Sequence, residues 1–258
     1  MQLLQVMQDL SHEKYFTGTS GLLLPVRNKL AYPEEFKQKS RLCFYGSMMN
    51  SIEINSSFYK VPMGSTVQKW SEDTPEHFKF TFKLWKDITH NKMLAYDPAA
   101  VSRFIEIINR VNQKKGALLI QFPPSIRLDQ TRQITSLLAD VRNADPAGSW
   151  HTAVEFRHPS LYHDDMLEIL NNYGMALVLH DRPPAITPIK LLDANFVYVR
   201  FHGPGGSYRG SYTTDLLTEY AEYIREWLAD GKKVYAYFNN TMGEAIQNLM
   251  TLRDLISK

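Results

Sequence analysis

Residues 196–202 read FVYVRFH and residues 234–239 read VYAYFN. Both runs are short, apolar and rich in β-branched and aromatic residues, which marks them as strands. Between them Leu217, Tyr220, Ile224 and Trp227 recur at helical spacing, and Gly231 closes that helix. A strand, a helix and a strand in this order imply parallel pairing. Working outward, the same signal recurs at YFTGT (15–19), SIEIN (51–55), FKFTFK (78–83), ALLIQF (117–122), TAVEF (152–156) and MALVLH (175–180).

Helical patterns separate these runs. Asp97 and Pro98 read as N-cap and first helical residue, with Val101, Phe104, Ile105, Ile108 and Val111 on one face. Gly116 is expected to end that helix. Ile134, Leu137, Leu138 and Val141 mark the next helix, and Leu167, Leu170 and Tyr173, closed by Gly174, the one after. A last helix carries Ile246, Leu249 and Leu252 and is expected to start near Asn240 or Thr241. The Pro-rich stretch 182–195 reads as a loop. Eight strand–helix units predict an α/β fold, a single closed (β/α)8 TIM barrel over residues 15–258, with 1–14 as an N-terminal extension. An open doubly wound sheet is the alternative.

A chain of 258 residues suits one such barrel and buries a large core without staples. Lone Cys43 excludes an internal disulfide, and the N-terminus resembles no signal peptide, so a cytoplasmic protein with no membrane span is expected. The 29 basic residues nearly balance 27 acidic ones, which argues against coating nucleic acid by bulk charge.

Barrel sites lie at the C-terminal strand ends, and here those ends are polar. Residues two apart on a strand share a face. Glu53 with Asn55, Glu155 with Arg157, and Arg200 with His202 therefore point together into the mouth, beside Lys83, Gln121, His180, Asp181 and Asn239. Charged side chains are rarely buried unless paired or functional. A structural ion-pair layer is the competing reading of these pairs. The loop GPGGSYRG (203–210) and the start of the last helix would offer amides to an anion. Phe58, Tyr59, Trp85, Tyr208 and Tyr212 add aromatic surface, as wall or as stacking platform. No recognised metal-ligand spacing such as HExxH occurs, so no metal and no cofactor are expected.

SIEINSSFYKVP, FKFTFKLWKDITH, LLIQFPPS, AVEFRHPS, YVRFHGPGGSY and YAYFNNTMGEA, in this order, resemble the motifs of the YecE-like family, domain of unknown function 72. The resemblance runs from about residue 15 to 250 and implies a TIM barrel without an established reaction. Carried over position by position, it points to Glu53, Asn55, Tyr59, Lys83, Thr89, His90, Gln121, Pro123, Glu155, Arg157, Arg200, His202, Gly203, Tyr208 and Asn239. The chain departs from the pattern at GTSGLLLPVRNKL (18–30), and it lacks the bulky aromatic often found after the fifth motif's Arg; Leu161 or Tyr162 stands nearby.

The expected function is a polar, cationic mouth that binds or acts on a small phosphate-bearing ligand: a nucleotide, nucleic acid or sugar phosphate. Glu53, Glu155 and His202 are the candidate acid–base residues. Asn55, Tyr59, Lys83, His90, Gln121, Arg157, Arg200, Gly203, Tyr208 and Asn239 are the candidate ligand contacts. A non-catalytic anion- or nucleic-acid-binding module is one alternative. A metal-dependent hydrolase or isomerase, of the abasic-endonuclease or sugar-isomerase type by fold analogy, is another.

Overall fold

A computed structural model of the protein describes residues 14–189 and 192–258. Thirteen residues of the expected N-terminal extension, and positions 190–191 of the Pro-rich loop, lie outside the described residues.

All eight expected strands form, with boundaries shifted by at most two residues: β1 Tyr15–Thr19, β2 Ser51–Ile54, β3 Lys79–Lys83, β4 Lys115–Gln121, β5 His151–Glu155, β6 Ala176–His180, β7 Phe196–Phe201 and β8 Lys233–Phe238. Every pairing is parallel, in the order β1-β8-β7-β6-β5-β4-β3-β2. A bridge between Ser20 and Glu53, with Gly21 N–H donating to the Glu53 carbonyl at 2.8 Å, brings β1 to β2 and closes the barrel. The helices are α1 Arg41–Met48, α2 Ser56–Tyr59, α3 Gly64–Glu72, α4 Lys86–Thr89, α5 Pro98–Ile108, α6 Thr131–Ala144, α7 Asp164–Asn172, α8 Thr214–Ala229 and α9 Ala245–Ile256.

Alternation splits each strand between two cores. Outward strand residues such as Phe80, Leu118, Val154 and Val197 pack under the helix stripes that carry Phe104, Leu137, Ile224 and Leu249, all in the outer cluster. Inward residues form a separate cluster of unequal sizes: Phe16, Tyr198, Tyr235 and Tyr237 from β1, β7 and β8 fill the space that Ala117, Ala153 and Ala176 leave on β4, β5 and β6. The buried Tyr237 hydroxyl meets Ser51 Oγ at 2.6 Å and Thr81 Oγ1 at 2.7 Å, so this plug keeps its polar atoms paired.

The caps follow the chemistry read from the sequence. The Asp97 carboxylate accepts from Ala99 N at 2.9 Å, with Pro98 in the first turn. Gly174 and Gly231 follow α7 and α8 in the left-handed region. Two expectations need correction. Gly116 does not end a helix: α5 stops at Ile108, a 3₁₀ segment follows, and Gly116 lies inside β4. A Cβ there would stand 2.8 Å from the Phe80 carbonyl of β3, so close strand approach explains the glycine. The last helix starts at Ala245, after a turn, rather than at Asn240 or Thr241. Among the described residues no helix is long and apolar enough to cross a membrane.

Candidate functional site

The alternation that builds the plug continues upward and turns polar. Above Tyr198 on β7 come Arg200 and His202; above Ala153 on β5 come Glu155 and Arg157; above Ser51 on β2 comes Glu53. All these side chains are buried at one end of the barrel.

Arg200 is the centre, only 1% exposed. Its Nε donates to Glu53 Oε2 at 2.9 Å and its Nη2 to Glu53 Oε1 at 2.6 Å, a bidentate grip. Its Nη1 donates to Glu155 Oε2 at 2.6 Å and faces His202 Nε2 at 3.2 Å. Tyr198 donates its hydroxyl to Glu53 Oε2 at 2.6 Å, and Ser20 donates to Glu53 Oε1. Arg157 Nε donates to Glu155 Oε1, and Arg157 Nη2 faces His202 Nε2 at 2.9 Å.

These contacts fix protonation. Burial pushes the Glu53 carboxyl up, but the Arg200 charge and the Arg200, Ser20 and Tyr198 donors outweigh it and hold Glu53 below the usual range. Burial is likewise overcome at Glu155 by Arg157 and Arg200, leaving it well below. His202 Nε2 faces two guanidinium groups, which only donate, so that nitrogen holds the lone pair. The proton then sits on Nδ1, which donates to Asp181 Oδ1 at 3.2 Å. Burial, opposed by the Asp181 bond and helped by Arg200, pushes His202 down to about 4. Asp181 is held by His202 N–H at 2.8 Å and by the Tyr212 hydroxyl. Near neutrality the three candidate acid–base residues are therefore two paired carboxylates and one neutral imidazole, and each is spent on its neighbours.

Arg157 departs from this pattern. Its Nη1 is buried and has no hydrogen-bond partner among the described residues. Such an orphaned donor is uncommon in a folded protein. Asn55 Oδ1, just beyond β2, is an orphaned acceptor at the same end.

Lys83 is the second departure. It is buried yet forms no ion pair among the described residues, and its Nζ lies 3.9 Å from the centre of the Phe58 ring. Burial first, then the Arg200 charge, bring it down to about 7, with Glu155 and Glu53 opposing. The sign of its effect on stability follows. The unfolded chain holds this proton up to the ordinary 10.5, whereas the folded chain releases it near 7. The cost of burying Lys83 is full below about pH 7 and vanishes towards pH 10.5. Lys83→Met is expected to stabilise the protein by about 2–4 kcal/mol at pH 6 and by almost nothing at pH 10. Urea unfolding at the two pH values checks this; a gain equal at both would contradict it.

The remaining candidates divide. Gln121 donates to the Phe122 carbonyl at 3.0 Å and stands 3.5 Å from His90 Nε2. His90 packs edge-on against Phe58, with ring centres 4.8 Å apart, and burial and Lys83 push it down to about 4. Tyr208 packs against His202, and its hydroxyl accepts from Arg182. Asn239 is buried at the end of β8, while Tyr59 is 65% exposed on α2. Three amides of the glycine loop are spent within the fold. Gly203 N–H donates to Tyr212, Gly206 N–H to the Gly203 carbonyl, and Tyr208 N–H to the His202 carbonyl. Gly203 is glycine because its φ is 91° and a Cβ would stand 2.3 Å from the Arg209 carbonyl. The amides of Met242, Gly243 and Glu244 are also spent, on Tyr208, Asn240 and Gly210.

Sequence reading missed Ser20, Tyr198 and Arg182. The first two follow the same two-residue period, at the end of β1 and two before Arg200. Nothing local to Arg182 points to Tyr208, 26 positions on. Among the described residues no group of three or more His, Cys, Asp and Glu could hold a metal ion. The mouth is also nearly balanced in charge, with Glu53, Glu155 and Asp181 facing Arg157, Arg200 and Lys83. The expected cationic character is thus local, at Arg157 and Lys83.

A family model described as "Protein of unknown function DUF72" matches residues 16–258. The UPF0759 protein YunF of Bacillus subtilis is 24% identical over 87% of this chain and 89% of its own length. The UPF0759 protein YecE of Escherichia coli is 24% identical over 54% of this chain and 52% of its own. A DUF72 family protein of Enterococcus faecalis superposes with a TM-score of 0.77 at 20% identity, covering 95% of this chain and 96% of that one. Another, from Thermotoga maritima, gives 0.67 at 24% identity, covering 95% and 100%.

Proposed function

The chain belongs to the family described as protein of unknown function DUF72, and from the geometry of its mouth we propose that this mouth binds a small phosphate-bearing ligand. The observation that carries the reading is the buried Arg157 Nη1 without an acceptor, at the same barrel end as an amine, Lys83, without an ion pair. A phosphate oxygen supplies the missing acceptor, and guanidinium geometry suits it. The orphaned Asn55 Oδ1 favours a ligand that also carries a hydroxyl, as sugar phosphates and nucleotides do.

In this reading Arg200 is a strut. Its donors are engaged by Glu53, Glu155, His202 and Ser20, so it aims Glu155, which in turn orients Arg157. Glu53, Glu155 and His202 position rather than transfer protons. Lys83, with its value near neutrality, is the group suited to exchange a proton with a bound ligand. A binding role is therefore favoured over hydrolysis by the carboxylates. The lone Cys43 and the absence of a membrane-spanning helix among the described residues support a cytoplasmic setting.

Sulfate is the cleanest probe, because its charge is constant from pH 6 to 9. Binding should be tightest below about pH 7, where Lys83 is protonated, and weaken up to about tenfold per unit above it. The thermal shift with sulfate should be lost in Arg157→Gln and, at pH 6, in Lys83→Met. Equal shifts in wild type and Arg157→Gln would sink the proposal.

A further inference from the structure

The opposite end of the barrel holds a second cluster of basic side chains. The first inward residues of four strands are Lys79 on β3, Lys115 on β4, His151 on β5 and Lys233 on β8. They line one cavity of about 810 Å³ with His77, below the Phe16–Tyr235 floor of the aromatic plug. That plug separates it from the mouth described above.

Among the described residues no carboxylate lines this cavity, and none of the three lysines forms an ion pair. Lys79 Nζ donates to the Gln113 carbonyl at 2.7 Å, and Lys115 Nζ to Ser149 Oγ at 3.2 Å. The Asp145 carboxylate is near but accepts from Ser149 Oγ and Trp150 N–H, at 2.7 and 2.8 Å. The amines repel one another: burial first, then Lys233, push Lys79 below its ordinary value. His151 is pushed down to about 4 by burial, then by Lys233 and Lys79. The N-terminal face of a barrel ordinarily serves stability, and like charges converging on it without counter-charges work against stability. A ligand that carries the missing negative charge resolves this.

We propose that the N-terminal mouth is a binding site for a polyphosphate chain, free or as part of a nucleotide. Two features favour a chain over a single phosphate. The cavity is in the size range of organic ligands. Its lysines lie on both sides of the opening, since β8 is separated from β3 by β1 and β2. The site does not depend on the reading of the C-terminal mouth.

Calorimetric titration of the full chain with inorganic tripolyphosphate tests it. In the Arg157→Gln background, which silences the C-terminal mouth, binding is expected, weakened at least tenfold when Lys79→Gln/Lys233→Gln is added. Lys115→Gln, a milder change, should weaken it at least threefold, and Lys233→Arg should preserve it. Equal affinity for inorganic diphosphate and ADP assigns the site to the phosphate chain alone; tighter ADP adds the nucleoside. No binding in the Arg157→Gln background, or undiminished affinity there with Lys79→Gln/Lys233→Gln added, overturns the proposal. Loss in Arg157→Gln with retention in the double variant would assign the heat to the C-terminal mouth instead.

Discussion

Replacing Arg200 by methionine is expected to cost about 3–5 kcal/mol at pH 8, the range for removing one partner of a buried ion pair. The guanidinium serves both Glu53 and Glu155, each fully buried. Without it Glu155 keeps Arg157, but Glu53 keeps only the hydroxyls of Ser20 and Tyr198. A carboxylate left in that setting is penalised by burial, and its value moves above that of the unfolded chain. The deficit is then greatest above that raised value and shrinks as pH falls and Glu53 takes up a proton. Against a typical stability of about 5–15 kcal/mol, such a loss lowers the melting temperature by about 10 °C at pH 8, and by less at pH 5. Adding Glu53→Gln should recover part of it. A loss below about 1 kcal/mol, the same at both pH values, would mean that the guanidinium does not neutralise this pair.

Acid should unfold the protein steeply. His90, His151 and His202 are each pushed from the usual 6.5 to about 4, mainly by burial. Above 6.5 they are neutral in both states and cost nothing. As pH falls from 6.5 towards 4 the unfolded chain takes up protons that the folded chain refuses, so stability declines throughout that window. Three full protons would give about 4 kcal/mol per pH unit. His90 is half-buried, so its share is discounted and about 2–3 kcal/mol per unit is expected. Glu53 and Glu155 add to the loss lower still, since their values lie below the usual 4.5. Urea unfolding at pH 7, 6 and 5 measures the slope, and His151→Gln and His202→Asn should each flatten it. A stability constant from pH 7 to 5 would contradict the burial assigned to these rings.

The fold was legible because its signal is local and repeated. FVYVRFH and VYAYFN carry both the strand propensity and the alternation that sends Arg200, Tyr198 and Asn239 inward. The same alternation placed Glu53, Lys83, Glu155 and His202 at one end, where the structure puts them. The partition of work among them was not legible. Whether Arg200 or Arg157 retains a free donor depends on distances between β2, β5 and β7, which no spacing along the chain encodes. The glycine loop was not decisive for a related reason. Glycines at 203 and 206 fit an anion nest and a crowded turn equally well until the fate of their amides is known. The second lysine cluster was missed because each lysine begins a different strand and looks like an ordinary solvated end.

The most direct measurement is a crystal structure of the protein grown at pH 6 with selenate, an oxyanion located by its anomalous signal. The proposed function predicts an anion within about 3.2 Å of Arg157 Nη1, with Lys83 Nζ as a further contact. Ordered water alone beside Arg157, with selenate absent from the C-terminal mouth, would contradict it and leave the polar ring as a structural ion-pair layer.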